Sequence, residues 1–109
     1  MAINKYTVVE AQNIQLGQIG SAFHTTVNKY TPPSDLKIIM ITMLTDTEFS
    51  GLIASDTDQN FGTSAASPGT NGQILTSSHT FPAGITIFGR WDSCTLNATA
   101  DKILIYFGG

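Results

Sequence analysis

Apolar and polar residues alternate along this chain in short, strand-length runs separated by clusters of turn-forming residues. Tyr6-Thr7-Val8-Val9, followed by Ile14 and Leu16, predicts a first strand or an N-terminal arm over residues 1–13, able to pair with its own sheet or with a neighbour's exposed edge, its own sheet being the better reading, while its extreme end reaches outward. Phe23-His24-Thr25-Thr26-Val27 predicts the next strand. It ends in a loop where Pro32 and Pro33 remove two amide donors and bias Thr31 away from helix. The most apolar run is Leu36 to Leu44, LKIIMITML. Periodicity alone does not separate a buried helix from a strand covered on both faces. Its Ile content and its bounds, Pro-Pro before and Thr-Asp-Thr after, favour a central core strand.

A further apolar run, Phe49 to Ala54, follows a short polar turn. The next segment, Ser55 to Gly72, is small and polar with one Pro and three Gly, so it reads as a long surface loop suited to mobility or to touching a partner. Gln73 to Ser78 leads into the closing segment. Phe81-Pro82-Ala83-Gly84 has Pro second and Gly fourth, the pattern of a type I turn. Beyond it Ile85, Ile87 and Trp91 share one face of a strand, and Thr86, Phe88 and Arg90 share the other. Gly89 leaves a gap on the Trp face that suits a bulge or the close approach of another group. Cys94 and Leu96 fall on the opposite parity, which predicts a bulge or bend near Asp92-Ser93. Asn97 to Asp101 turns the chain, and Lys102 to Phe107 returns as a last strand, apolar on both faces. The sum is an all-β chain, a small antiparallel β-sandwich or jelly-roll-like single domain spanning residues 1–109.

Composition supports that reading and narrows the partners. Charged residues make up 12% of the chain, about half of the ~25% usual for a soluble domain. Uncharged hydrogen-bonding residues replace them: 15 Thr, 9 Ser, 6 Asn and 5 Gln, of which Thr suits strands and Asn suits turns. The net charge is -3, and Lys5, Lys29, Lys37, Arg90 and Lys102 are scattered singly, so no basic stripe exists for nucleic acid. No apolar run reaches membrane-spanning length, and the opening MAINKYTVVE lacks the apolar core of a cleaved leader. A cytoplasmic site of synthesis is expected.

Candidate chemistry is sparse. The single cysteine, Cys94, excludes an intrachain disulfide and a cysteine zinc site, and reads as an ordinary buried thiol. His24 and His79 stand far apart without ligand spacing. Asp56-Thr57-Asp58-Gln59-Asn60 begins like an EF-hand loop, but Phe61 stands where the turn Gly belongs and Ser67 where the bidentate Glu belongs. A solvated acidic loop is the better reading, with a weak calcium site at Asp56, Asp58 and Asn60 as the alternative. Asn97-Ala98-Thr99 matches a glycosylation acceptor, which means nothing without a secretory route. No phosphate loop, nucleophile elbow or zinc-protease motif is present, and nothing in their spacing supports Cys94 with His79 as nucleophile and base. No catalysis, cofactor or metal is expected.

Binding is the remaining class. The C-terminal strands offer more apolar area than a chain of this size hides alone, which predicts self-association as a homo-oligomer such as a trimer. Arg90, Trp91, Tyr106 and Phe107 are residue types that anchor interfaces, although Trp91 and Phe107 suit the core equally. Phe61 and Tyr30, with the Ser55–Gly72 loop, are the candidates for a sugar-recognition surface.

The phrase Phe-Pro-Ala-Gly-Ile-Thr-Ile-Phe-Gly-Arg-Trp at 81–91, with Ile-Leu-Ile-Tyr-Phe-Gly at 103–108, resembles the C-terminal pattern of small proteins encoded among the virion genes of tailed bacteriophages. It covers about a quarter of the chain. The resemblance implies a β-sandwich or jelly-roll structural protein of the virion, such as a capsid decoration (cement) protein that binds a major capsid protein. A tail, fibre or connector component with a receptor- or carbohydrate-recognition role is the alternative it leaves open.

Overall fold

The structure, a computed structural model, describes residues 20–109. The expected strand or arm at residues 1–13 lies outside them. Five strands form: β1 (Ser21–His24), β2 (Lys37–Met43), β3 (Phe49–Ala54), β4 (Thr86–Leu96) and β5 (Ile103–Gly108). They make one antiparallel sheet in the order β1-β5-β2-β4-β3. The all-β architecture expected from the sequence is therefore observed. The second sheet of a sandwich is not found among the described residues, and connecting segments occupy the place it would take.

The apolar run around Ile38 to Ile41 becomes an interior strand because its side chains find cover on both sides of the sheet. β5 behaves alike and lies between β1 and β2. Residues directly opposite one another across antiparallel strands share a face, so the register sorts the side chains. On the inner face Ala22, Ile105, Ile41 and Ile87 form one row. Phe107, Ile38 and Trp91 form another. Burying Ile38, Ile41 and Ile105, the fully enclosed aliphatic side chains of these rows, stabilises the fold by roughly 1.5–3 kcal/mol each.

β4 is the longest strand because it serves two partners in turn. Thr86 to Trp91 pairs with β2, and Trp91 to Leu96 pairs with β3. The change of partner coincides with the expected irregularity: Ile53 and Ala54 face Ser93 and Trp91, leaving Asp92 as the extra residue. A second bulge adds a residue in the Gly89-Arg90 stretch against β2. The bulge at Asp92 lets Trp91, Cys94 and Leu96 all enter the core despite their mixed parity.

Two connections cover the inner face. Tyr30 and Leu36 come from the link between β1 and β2, and Phe61, Leu75 and Phe81 come from the link between β3 and β4. Tyr30 pairs through its backbone with Cys94, and Phe81 pairs with Thr47, N–H to carbonyl in both directions at 2.8 and 2.9 Å. Phe81 also meets Phe49 edge-on, with ring centroids 5.7 Å apart. The turn into β4 falls one residue later than the type I turn expected over Phe81–Gly84. The Ile85 N–H donates to the Pro82 carbonyl, placing Gly84 third, and its φ of +90° fits a type II turn that other residues resist.

The segment Ser55 to Gly72 is a loop without helix or strand, largely exposed but tied to the sheet at one point. The Thr63 N–H donates to the Leu52 carbonyl at 2.8 Å, and the Leu52 N–H donates to Thr63 Oγ1 at 2.9 Å, so the loop is stitched along the edge of β3. Phe61 packs into the core and lies edge-on to Trp91, with centroids 5.5 Å apart. Composition concealed this because one aromatic in a polar stretch anchors the whole segment.

Candidate functional site

The register that buries one face of the sheet leaves the other to be read off directly. Ser21, Tyr106, Met40 and Phe88 form one row of the outer face. Phe23, Leu104, Thr42 and Thr86 form the next, with the Thr42 and Thr86 hydroxyls 3.0 Å apart. Leu44 continues the outward parity of Met40 and Thr42. Phe23 is 59% exposed, Phe88 65% and Leu44 43%. Between them Tyr106 packs half-buried on Ile39 and Met40. Among the described residues no segment is packed over Phe23 and Phe88, whereas the inner face is roofed by two connections. Apolar patches of a few hundred Å² rimmed by polar groups mark interaction sites.

Charge lies at one end of this face and is internally matched. Lys37 Nζ reaches Asp92 Oδ1 at 2.6 Å, a partly exposed pair that contributes at most about 1 kcal/mol. The Arg90 guanidinium donates to the Gly109 carbonyl.

The sequence-derived interface residues separate into two groups. Trp91 is completely buried, its indole Nε1 donating to the Phe61 carbonyl at 2.9 Å. Phe107 is buried beside it in the core. Of the two roles the sequence left equally open to them, contact and core, both take the core one, because the bulge and the loop turn that face inward. Phe61 is likewise drawn against the core, and Tyr30 with it. Tyr106 remains on the outer face, and Arg90 stands at its charged end. Phe23, Phe88, Leu44 and Leu104 were not among the sequence candidates. The parity that sets Phe88 opposite Ile87 and Trp91 was the available signal.

The remaining candidates are not brought into a reactive arrangement. Cys94 is fully buried, and burial pushes its thiol up to about 12. Tyr30, bridged to Cys94 through the backbone, has its phenol raised, first by burial and second by the Cys94 charge. His79 is exposed in a turn, its Nδ1 accepting the Thr76 N–H. His24 lies by Tyr30, with rings 5.5 Å apart, and its Nε2 contacts the Asn28 carbonyl. Asp56 Oδ1 accepts the Asp58 N–H at 2.9 Å, so this carboxylate closes its own turn. Among the described residues no three His, Cys, Asp or Glu side chains are grouped to hold a metal ion. Asn97 is exposed in the turn between β4 and β5.

Compared with protein-family models, curated proteins and solved structures, the chain matches none.

Proposed function

We propose that the chain is a noncatalytic structural protein that works by association, its outer sheet face being the contact surface, and that it serves in the virion of a tailed bacteriophage as a capsid decoration protein. The observation that carries the associative part is the exposure of Phe88 and Phe23 on the outer face, beside half-buried Tyr106, with no segment packed over them among the described residues. A flat face of this kind suits another protein's surface, since aromatic rings contribute large apolar area at low conformational cost. The capsid assignment rests on the resemblance of residues 81–91 and 103–108 to virion proteins of tailed phages. Many copies, each burying apolar surface against adjacent capsid subunits, would resist outward pressure without a covalent bond. The recognition-module reading is the weaker one, because Phe61 and Tyr30, its aromatic candidates, pack against the core.

The test is the copy number in purified particles together with one surface variant. A copy number comparable to that of the capsid subunit is expected, and Phe88→Lys, at a side chain that is 65% exposed, should detach the protein from particles. A handful of copies per particle, or undiminished attachment of the variant, would sink the proposal.

A further inference from the structure

The chain has six asparagines, Asn4, Asn13, Asn28, Asn60, Asn71 and Asn97, and Asn71 alone is followed by glycine. Asn71 is exposed, and its backbone φ of +69° lies in the left-handed region. Asparagine is tolerated there because its short amide finds local partners. Gly72 is required by space as well: a Cβ on it would lie 2.1 Å from the Ser67 carbonyl oxygen. The fold thus holds an exposed side-chain amide directly before a residue that can carry no side chain.

That juxtaposition has a chemical consequence. A backbone nitrogen can attack the side-chain amide carbon of the asparagine before it when its own residue does not stand in the way. Lys5, Ile14, Lys29, Phe61 and Ala98 each place a Cβ beside the nitrogen that would attack, and Gly72 does not. The loop around the pair is closed. The Ser67 N–H and the Ser67 hydroxyl both donate to the Gln73 carbonyl, at 3.1 and 2.8 Å. Gln73 Nε2 donates to the Asn71 carbonyl at 3.4 Å. Any atom added to the main chain between Asn71 and Gly72 has to fit inside this closure, where Gly72 already abuts Ser67.

We propose that Asn71 is a site of spontaneous deamidation, a modification that accumulates with age, adds a negative charge and opens the loop over residues 67–73. The Gly72 nitrogen gives its proton to solvent base and bonds to Asn71 Cγ. The Cγ–Nδ2 bond breaks, and Nδ2 takes up a proton from water and leaves as ammonia. One water molecule then opens the five-membered imide. Breaking its bond from nitrogen to Cγ gives aspartate, and breaking the bond from nitrogen to the Asn71 main-chain carbonyl carbon gives isoaspartate. In sum, an amide and water become a carboxylic acid and ammonia, with nothing oxidised or reduced. Either product makes the chain one charge more negative than its net -3. Isoaspartate also routes the main chain through Cβ and Cγ, which lengthens it by one atom and breaks the fit between Ser67 and Gln73. The inference is independent of the outer face and of the function proposed for it.

The experiment is prolonged incubation of the folded full chain at mildly alkaline pH, sampled by isoelectric focusing and by peptide mass spectrometry. A band shifted by one negative charge is expected to grow, with Asn71 converted while Asn28, Asn60 and Asn97 remain intact. Isoaspartate at position 71 is scored by labelling with a protein-isoaspartate methyltransferase, and that fraction should be cut faster than the parent within residues 64–70. Asn71→Asp, which carries the charge without the added main-chain atom, should keep the parent's cleavage rate. Asn71→Gly suits the same φ and lacks the amide, so it should keep its charge throughout the incubation. Asn71 remaining intact, or converting no faster than Asn97 in its exposed turn, overturns the proposal. So does an equal acidic shift in Asn71→Gly. Conversion without isoaspartate, or an isoaspartyl chain cut no faster than the parent, overturns the opening of the loop.

Discussion

The indole of Trp91 folds back over Gly89, so closely that a Cβ at position 89 would lie 2.6 Å from the ring. The largest buried side chain of the protein thus has its seat in the absence of another side chain two residues earlier on the same strand. Gly89→Ala is expected to destabilise the fold by about 1–3 kcal/mol, the range for overpacking a filled core. Urea unfolding followed by Trp91 fluorescence measures this, and an unchanged midpoint would show that the ring can shift without cost.

Phe61 holds the β3–β4 connection to the core through its ring and, by its carbonyl, through the Trp91 indole. Because the ring is only partly buried, Phe61→Ala should cost about 2–3 kcal/mol, toward the low end of large-to-small core changes. Limited proteolysis within Ser64 to Asn71 should accelerate in the same variant. Equal cleavage rates in variant and parent would mean that the loop is held by the Thr63 bonds alone.

Cys94 supplies a test by pH. Its thiol is raised from the ordinary value of 9.0 to about 12 in the folded chain. Above pH 9 the unfolded chain loses this proton and the folded chain keeps it, so unfolding is favoured progressively from pH 9 up to about 12. Below pH 9 the thiol is protonated in both states and adds no pH dependence to stability. Cys94→Ala should therefore flatten part of the alkaline fall in stability relative to the parent. The native thiol should also resist a thiol reagent until denaturant is added, and rapid labelling of the folded protein would contradict its enclosure.

Deleting Ile103 to Gly109 removes β5, which pairs with both β1 and β2. Soluble folding should be abolished, with loss of the β-type circular dichroism signal. A soluble, cooperatively unfolding truncated chain would refute the strand order.

Much of the sheet was legible because its signals are local. The Ile-rich run at 38–41, the parity of Ile87 against Phe88, and the parity break between Trp91 and Cys94 each depend on neighbours within a few residues, and strand and bulge stand where those signals put them. What could not be read is which face would be roofed. Phe107 and Tyr106 look alike as apolar neighbours in one strand, and only the packing of distant connections against one face of the sheet makes Phe107 a core residue and leaves Tyr106 on the other face. The same non-local packing buried Trp91 and left Phe23 and Phe88 exposed. The turn at Pro82 was displaced because Asp46 Oδ1 captures the Ala83 N–H and the Met43 carbonyl captures the Gly84 N–H, partners far away in sequence.

The position of β5 between β1 and β2 has a consequence for the history of each molecule. The first two described strands cannot join one another directly. They must wait, with their edges unpaired, for the last strand in chain order to arrive between them. Closing loops of that length before any reward is collected makes folding slow, on the millisecond-to-second scale of sheets dominated by distant pairings. During synthesis the chain is most vulnerable just before β5 emerges from the ribosome, when Ile38 to Ile41 has β4 available on one side but its other edge is still without a partner and open to aggregation.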